Sequence, residues 1–348
     1  MHKLLKVLTF MGALLALTFC AVSCKTDDDD EPTMYTVTVS DSLEHGKVTA
    51  DKSSAEAGAK VKLTATADSG YELDSYSVKD ASANELTVTD GTFTMPKSNV
   101  TVSATFTEMR TEASGKIGKY EKPYKVGDIV FSDGSATPYS ADLTLSDAQK
   151  DAAVAVIFYA GSASDTLGAK TLGVGLRNAT GLAWARHAII ETFPLKTDSA
   201  EGWSTNITAI RCTPSTNGAG TATFTGDLDG SDNWKALCDA VSDEGTSGNY
   251  PAWEWVNAYA TENSLEGSYA SGWYLPTLAE LSMLYRVKDS VNSALEKAGG
   301  TKIADEVYWS SSQVASNEYF AWYVWLGGGN LVDLNKYVQN SVCTVRAF

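Results

Sequence analysis

Residues 308–348 read YWSSSQVASNEYFAWYVWLGGGNLVDLNKYVQNSVCTVRAF, and the interpretation of the whole chain depends on them. The segment AWYVWL at 321–326 is predicted to be a strand, in which successive side chains point to opposite faces. A half-buried strand normally has one apolar face and one polar face, but here bulky apolar groups fall on both. The pattern indicates either a strand buried on both sides or a surface that displays aromatic side chains to a partner.

Several short motifs in the C-terminal part of the chain resemble one family. The motifs are YWSSSQ at 308–313, AW at 321–322, GGGN at 327–330, VRAF at 345–348, GWYLPT at 272–277, VGD at 126–128 and FSDG at 131–134. Together they resemble the Treponema variable-protein type, whose members are targets of diversity-generating retroelements. The resemblance extends from Tyr124 to the C-terminus. It implies a C-type-lectin-like domain of the formylglycine-generating-enzyme subtype, with a variable region at 309–348.

The resemblance also implies which residues bind a partner. In such proteins, template-directed mutagenesis at adenines replaces residues that lie on the outer surface of the lectin fold. By position, the implied ligand-binding residues are Val314, Asn317, Tyr319, Phe320, Tyr323, Trp325, Leu331, Asp333, Leu334, Asn335, Tyr337 and Gln339. Trp309, the run 310–313 and the terminal VRAF would be scaffold. Stiff aromatic anchors combined with small polar groups are typical of a paratope.

Length and charge limit the classes of function. A chain of 348 residues is long enough for two domains, and a hydrophobic content of 43% supports folded cores. The net charge of −16 and the pI of about 4.6 argue against nucleic acid as a partner. We expect a monomer that binds a protein or another surface ligand.

The first 23 residues are predicted to be a bacterial signal peptide. A short basic start precedes an uncharged apolar run at 7–22, which is short for a membrane span. The sequence AVSC at 21–24 resembles a lipobox, which implies cleavage before Cys24 and lipidation of that cysteine; ordinary secretion is the alternative. Several acyl chains anchor a protein stably. Residues 24–33 are predicted to be an extended acidic tether, so we expect an exported protein anchored at the outer membrane or cell surface.

Residues 34–106 are predicted to form a small all-β domain, because their apolar residues alternate with period two and β-branched residues are frequent. Its motifs are YTVTV at 35–39, GKVT at 46–49, AG at 57–58, GYEL at 70–73 and FTMP at 93–96. These motifs resemble a divergent internalin-B-type repeat, which implies a stalk on a bacterial surface protein. His45 precedes a turn glycine and is interpreted as a surface turn residue.

Residues 107–123 are predicted to link this domain to a second one at 124–348. The second domain is predicted to be α+β, with strands near 129–131 and 154–159, then helices, then strands at its end. The predicted helices are a short one capped by Ser146, one at 233–241, one at 252–261 and one after the capping box Thr277–Glu280. The predicted fold is therefore multi-domain, a small all-β repeat domain followed by an α+β C-type-lectin-like domain.

The sequence contains no recognisable catalytic constellation, so we predict no enzymatic activity, no cofactor and no metal site. His187 is the only histidine of the second domain and is interpreted as structural. Cys212, Cys238 and Cys343 lack metal-ligand spacing, although one disulfide among them could form in an exported protein. The acidic loop at 227–232 lacks the EF-hand spacing and is interpreted as solvated.

These observations favour a non-catalytic, lipid-anchored surface receptor whose C-terminal face binds a partner. The alternative is a structural or adhesive surface lipoprotein of fixed sequence. The two hypotheses differ in one structural expectation. A receptor exposes most of Tyr319, Tyr323, Trp325 and Tyr337 on one contiguous surface, whereas a structural protein buries them.

Overall fold

A computed structural model describes residues 32–188, 199–244, 246 and 248–348. The predicted signal peptide, Cys24 and most of the predicted tether lie outside these residues. The chain divides into two compact units, the first ending at Phe106 and the second comprising Thr107–Phe348. Both units contain β-sheets, so the protein is multi-domain and mostly β. Within the described ranges, no helix is both long and apolar enough to cross a membrane.

The first unit consists of two sheets. Its strands are β1 (Met34–Val39), β2 (Gly46–Ala50), β3 (Ser54–Glu56), β4 (Lys60–Ala67), β5 (Tyr71–Asp80), β6 (Thr92–Thr94) and β7 (Val100–Glu108). One sheet has the order β3-β1-β7-β5 and the other β2-β4-β6. The predicted alternation is confirmed: on β4, Val61 and Leu63 are buried, whereas Lys60 and Lys62 are exposed. His45 has a positive φ in a turn, as expected of a surface turn residue.

The second unit contains two five-stranded sheets and a short two-stranded one. Its strands are β8 (Asp128–Phe131), β9 (Ala136–Pro138), β10 (Ala153–Ala160), β11 (Thr171–Gly175), β12 (Ala179–Ala183), β13 (Cys212–Pro214), β14 (Phe224–Gly226), β15 (Val307–Gln313), β16 (Phe320–Trp325), β17 (Asn330–Asn335), β18 (Gln339–Val342) and β19 (Val345–Ala347). The first large sheet has the order β19-β11-β10-β8-β9 and the second β12-β18-β15-β16-β17. Strand β19 pairs with β11, so the C-terminal strand returns to an early strand of the unit.

The helices of the second unit lie close to where the sequence predicts them. They are α1 (Asp147–Ala152), α2 (Asn233–Ala240), α3 (Pro251–Glu262) and α4 (Leu278–Lys297). Two of them, α1 and α4, begin with a capping box. At α4, the Thr277 side chain accepts from the Glu280 backbone N–H, and the Glu280 carboxylate accepts from the Thr277 backbone N–H at 2.8 Å. The predicted capping box is therefore confirmed, as is the short helix capped by Ser146.

The AWYVWL strand, β16, separates two cores. On one face, Val324 belongs to a main core that also contains Leu284 of α4. On the other face, Ala321 belongs to a second core with Trp309 and Trp253. The middle of β16 is thus buried on both sides, which explains its lack of a polar face.

Residues 107–123, which are predicted to link the two domains, fold as part of the second unit. Arg110 forms a buried ion pair with Asp128, with 3.4 Å between Nη2 and Oδ1. The backbones of Tyr120 and Ala136 exchange two hydrogen bonds of 2.9 Å. Paired backbone groups and a buried ion pair hold the segment in place within this unit.

Candidate functional site

Four aromatic rings in the second unit form a continuous row. Between ring centroids, His187 lies 3.9 Å from Trp203 and 5.6 Å from Tyr337, and Trp203 lies 4.7 Å from Tyr319. The side chains of Tyr319 and Tyr337 are 36% and 37% exposed, and the two middle rings are half-buried. We call Tyr337, His187, Trp203 and Tyr319 the ring row. It combines stiff apolar surface with two terminal phenols, a chemistry that suits recognition of a partner.

Strand pairing brings the two tyrosines of the ring row together. Strands β16 and β17 are antiparallel, and Phe320 at the start of one pairs with Asn335 at the end of the other. Tyr319 and Tyr337 flank this pair and so lie at the same end of the sheet. The other two rings come from earlier parts of the chain, the segment after β12 and a 3₁₀ helix at 201–203.

Two asparagines orient the ring row. Asn335 Oδ1 accepts hydrogen bonds from Trp203 Nε1 at 2.8 Å and from the Tyr337 backbone N–H at 3.4 Å. Asn317 Oδ1 accepts from the Tyr319 backbone N–H at 3.0 Å. Four of the predicted ligand-binding residues, Asn317, Tyr319, Asn335 and Tyr337, therefore lie at the ring row.

Gln313 connects the two sides of the ring row. Its Oε1 accepts from the Ile207 backbone N–H at 2.7 Å, and its Nε2 donates at 3.0 Å to the carbonyls of Thr205 and Glu318. The first two partners follow Trp203 in sequence, and Glu318 precedes Tyr319. Because Gln313 is fully buried, these bonds cannot be replaced by water without rearrangement.

A buried amine lies next to the ring row. Lys336 is 0% exposed, and its Nζ donates to the Gly202 carbonyl at 2.7 Å. The amine also lies 4.5 Å from the centroid of the Trp184 ring, within range of a cation–π interaction. Burial lowers the pKa of Lys336 to about 7, and the negative charge of Glu318 opposes this shift.

The three serines of the WSSSQ motif are fully buried and tie β15 to its neighbours. Ser310 Oγ donates to the Trp322 carbonyl at 2.7 Å, and Ser312 Oγ accepts from the Leu278 N–H at 3.0 Å. Ser311 Oγ accepts from Asn233 Nδ2 at 2.8 Å. This placement fits the scaffold role that the resemblance implies for the motif.

Two predicted ligand-binding residues are buried and cannot form part of an exposed face. Leu331 is 1% exposed, because it pairs with Val324 across β16 and β17 and both side chains enter the main core. Val314 is 6% exposed and directly follows β15, where its backbone N–H donates to the Phe320 carbonyl at 3.2 Å. For these two residues the prediction is wrong.

Trp325 is exposed but does not lie at the ring row. It ends β16, whereas Tyr319 precedes the first residue of that strand, so the two are separated by roughly 20 Å at about 3.3 Å per residue. Its ring covers the glycine turn, since a Cβ on Gly328 would lie 2.5 Å from the indole. The indole N–H donates to the Asp305 carbonyl at 3.3 Å. Trp325 is therefore exposed but lies outside the contiguous surface that the receptor hypothesis expects to contain most of Tyr319, Tyr323, Trp325 and Tyr337.

The remaining predicted positions are divided between surface and interior. Asp333 and Gln339 are exposed, whereas Phe320 and Leu334 are half-buried. Tyr323 is half-buried against the edge of Trp309, at 6.2 Å between ring centroids, and burial raises its pKa.

Sequence reasoning missed three contributors to this site. Trp203 occurs in a 3₁₀ helix without a motif, and Lys336 was overlooked inside the predicted variable region. His187 was interpreted as structural, yet its ring is the second in the ring row. No local pattern indicates that these residues meet, because each comes from a different segment.

The described thiols and carboxylates do not form a reactive or metal-binding cluster. Cys212, Cys238 and Cys343 are unpaired, so the disulfide that we considered is absent among them. Burial raises the pKa of Cys212 and of Cys343 to about 12, which keeps both thiols protonated at neutral pH. Across the described ranges, no three His, Cys, Asp or Glu side chains are placed to hold a metal ion. In the acidic loop, Asp229 forms an ion pair with Lys170 at 2.7 Å.

Comparison with known proteins identifies the repeat in the first unit. The family model described as "Divergent InlB B-repeat domain" matches residues 35–110, which confirms the predicted internalin-B-type repeat. No curated protein matches the chain significantly. Among solved structures, a fimbrial protein from Bacteroides ovatus is 13% identical, with 91% of this chain and 69% of that chain covered and a TM-score of 0.44. A likeness of that strength supports no conclusion about fold or function.

Proposed function

We propose that this chain is a non-catalytic, lipid-anchored surface receptor whose second unit is a C-type-lectin-like domain that binds a partner at the ring row. The observation that carries the proposal is the position of Asn317, Tyr319, Asn335 and Tyr337. These four residues are among the twelve that the resemblance implies, and they meet at one partly exposed site with Trp203 between them.

The exposure of the side chains at the ring row supports a surface that tolerates substitution. Around the ring row the implied variable side chains are exposed or half-buried, whereas the WSSSQ motif beside them is fully buried. Surface substitutions usually change stability by about 0.5 kcal/mol or less, whereas buried ones cost several times more. Diversification confined to the ring row would therefore leave the scaffold folded.

The parts that precede the second unit support a position outside the cell. The lipobox at 21–24 and the acidic run that follows it favour a lipid anchor, and an internalin-B-type repeat suits a stalk between anchor and binding domain. A receptor on such a stalk would present the ring row to partners in the surroundings of the cell.

A randomised library of the mature chain tests this function. We expect most members to remain folded and to yield binders against unrelated panel proteins when the four row-associated residues Asn317, Tyr319, Asn335 and Tyr337 are randomised. Aromatic anchors with small polar neighbours are the composition that productive binding loops share.

A matched library provides the control. It randomises four fully buried residues of the same region, Ser310, Ser311, Ala321 and Val324. We expect most of its members to unfold and to yield no specific binders. If the row library unfolds as often as the control library, or stays folded and yields no binders, the ring row is not a receptor surface, and the fixed structural lipoprotein becomes the better account.

A further inference from the structure

Lys336 contacts every segment that supplies a ring to the ring row. Its backbone N–H donates to the Tyr319 carbonyl at 3.0 Å, and its own carbonyl accepts from the Ala185 backbone N–H at 3.0 Å. Its Nζ donates to the Gly202 carbonyl at 2.7 Å. Tyr319 is itself a residue of the ring row. Ala185 lies two residues before His187, and Gly202 directly precedes Trp203. The fourth ring, Tyr337, follows Lys336 directly in sequence.

The environment of Lys336 is costly for a lysine. The side chain is fully buried, and among the residues that the structure describes no carboxylate forms an ion pair with its amine. Its hydrogen-bond acceptor is one backbone carbonyl, and its other close partner is the face of Trp184. A buried charge without a counter-ion is normally selected against. An apolar side chain would fill this space at a lower cost, but it could not donate to Gly202.

We propose that Lys336 is a positioning residue that holds the four rings in register, with the bond from Nζ to the Gly202 carbonyl fixing Trp203 against the rings of the variable region. The inference rests on the proposed function and deepens it. The binding face has a fixed half, Trp203 and His187, which lies before residue 309, and a half within 309–348. Every partner would then contact the same two rings, whatever the variable residues are.

The test compares the unmodified mature chain with Lys336→Met and Lys336→Arg. Methionine keeps the apolar stem against Trp184 but cannot donate, whereas arginine keeps a donor for the Gly202 carbonyl. Proton NMR of the histidine ring C–H groups gives the measurement, because a proton held over the face of a neighbouring aromatic ring is shifted upfield. His187 lies 3.9 Å from Trp203, and His45 in the first unit lies 3.9 Å from Tyr71, so His45 is an internal reference.

The expected result is selective. In Lys336→Met the upfield shift of His187 is lost while that of His45 stays, and in Lys336→Arg both shifts stay. Retention of the His187 shift in a folded Lys336→Met chain overturns the proposal, as does loss of the shift in both folded variants. Neither result depends on a bound partner, so a failure here is distinct from a failure of the receptor function.

If Lys336→Met does not fold, hydrogen exchange in the unmodified chain tests whether Lys336 positions Trp203. The amides of Lys336 and Ala185 and the indole N–H of Trp203 should then exchange with one common protection factor, as expected for a single cooperative unit. A Trp203 indole that exchanges as fast as a free indole, beside protected amides of the other two residues, contradicts the proposal.

Discussion

Replacing Lys336 by Met should remove a pH dependence from the stability of the second unit. Burial lowers the pKa of Lys336 to about 7 in the folded protein, whereas the usual value is 10.5. Between these two values the unfolded chain holds a proton on Lys336 that the folded chain has lost. The free energy of unfolding therefore rises with pH across this window, by about 1.4 kcal/mol per pH unit for one group. Below pH 7 both states are protonated, and the contribution of this group is constant.

The expected magnitude follows from the width of the window. From pH 7 to pH 9, Lys336 should add about 2 to 3 kcal/mol to the stability of the unmodified chain relative to Lys336→Met. The bond to the Gly202 carbonyl adds a difference that does not vary with pH, about 1 to 3 kcal/mol for an acceptor left unsatisfied.

Urea unfolding, followed by tryptophan fluorescence at several pH values, measures the stability difference between the unmodified chain and Lys336→Met. All 9 tryptophans lie beyond residue 106, so the signal reports on the second unit alone. The control is Val324→Ala, which removes buried apolar atoms and nothing that titrates, and should therefore destabilise equally at every pH. If the stability difference between the unmodified chain and Lys336→Met is as flat with pH as that of the control, the reasoning about Lys336 is refuted.

Three further predictions concern the buried parts of the site. Gln313→Met leaves three backbone groups without a partner and should lower the free energy of unfolding by about 3 kcal/mol or more in urea titrations. Leu331→Asn should cost about 3 kcal/mol, whereas the exposed Asp333→Asn should cost about 0.5 kcal/mol or less; equal costs would contradict the burial of Leu331. Cys343, which is fully buried, should react with a thiol reagent only after unfolding; fast reaction in the native chain would contradict its position.

Local sequence patterns predicted the secondary structure of this chain well. The alternation on β4 and the capping box of Thr277 involve residues within a few positions of one another, and both are confirmed. Burial on both faces of β16 was one of two open interpretations, because the helices and strands that cover those faces come from distant segments. Leu331 was placed on the surface for the same reason, since only its pairing with Val324 assigns it to a face.

Only two of the four residues of the ring row could be predicted from the sequence. The resemblance supplied Tyr319 and Tyr337, because both lie within one variable region. Trp203 and His187 come from segments that carry no motif, and long-range bonds of Lys336, Gln313 and Asn335 hold these segments beside the tyrosines. Segment 107–123 shows a different difficulty, because the sequence predicts a linker there while Arg110 is paired inside the fold.

Sequencing the 3′ end of the gene and the kilobases downstream tests the central claim most directly. We predict a near-copy of the segment that encodes residues 309–348, beside a reverse transcriptase gene. The copy should differ from the gene only where the copy has adenine, and the differences should include the codons of Tyr319 and Tyr337. The codons of the buried Ala321 and Val324 should be identical in the two copies. Absence of such a copy, or differences concentrated in the codons of buried residues, would contradict a diversified binding face at the ring row.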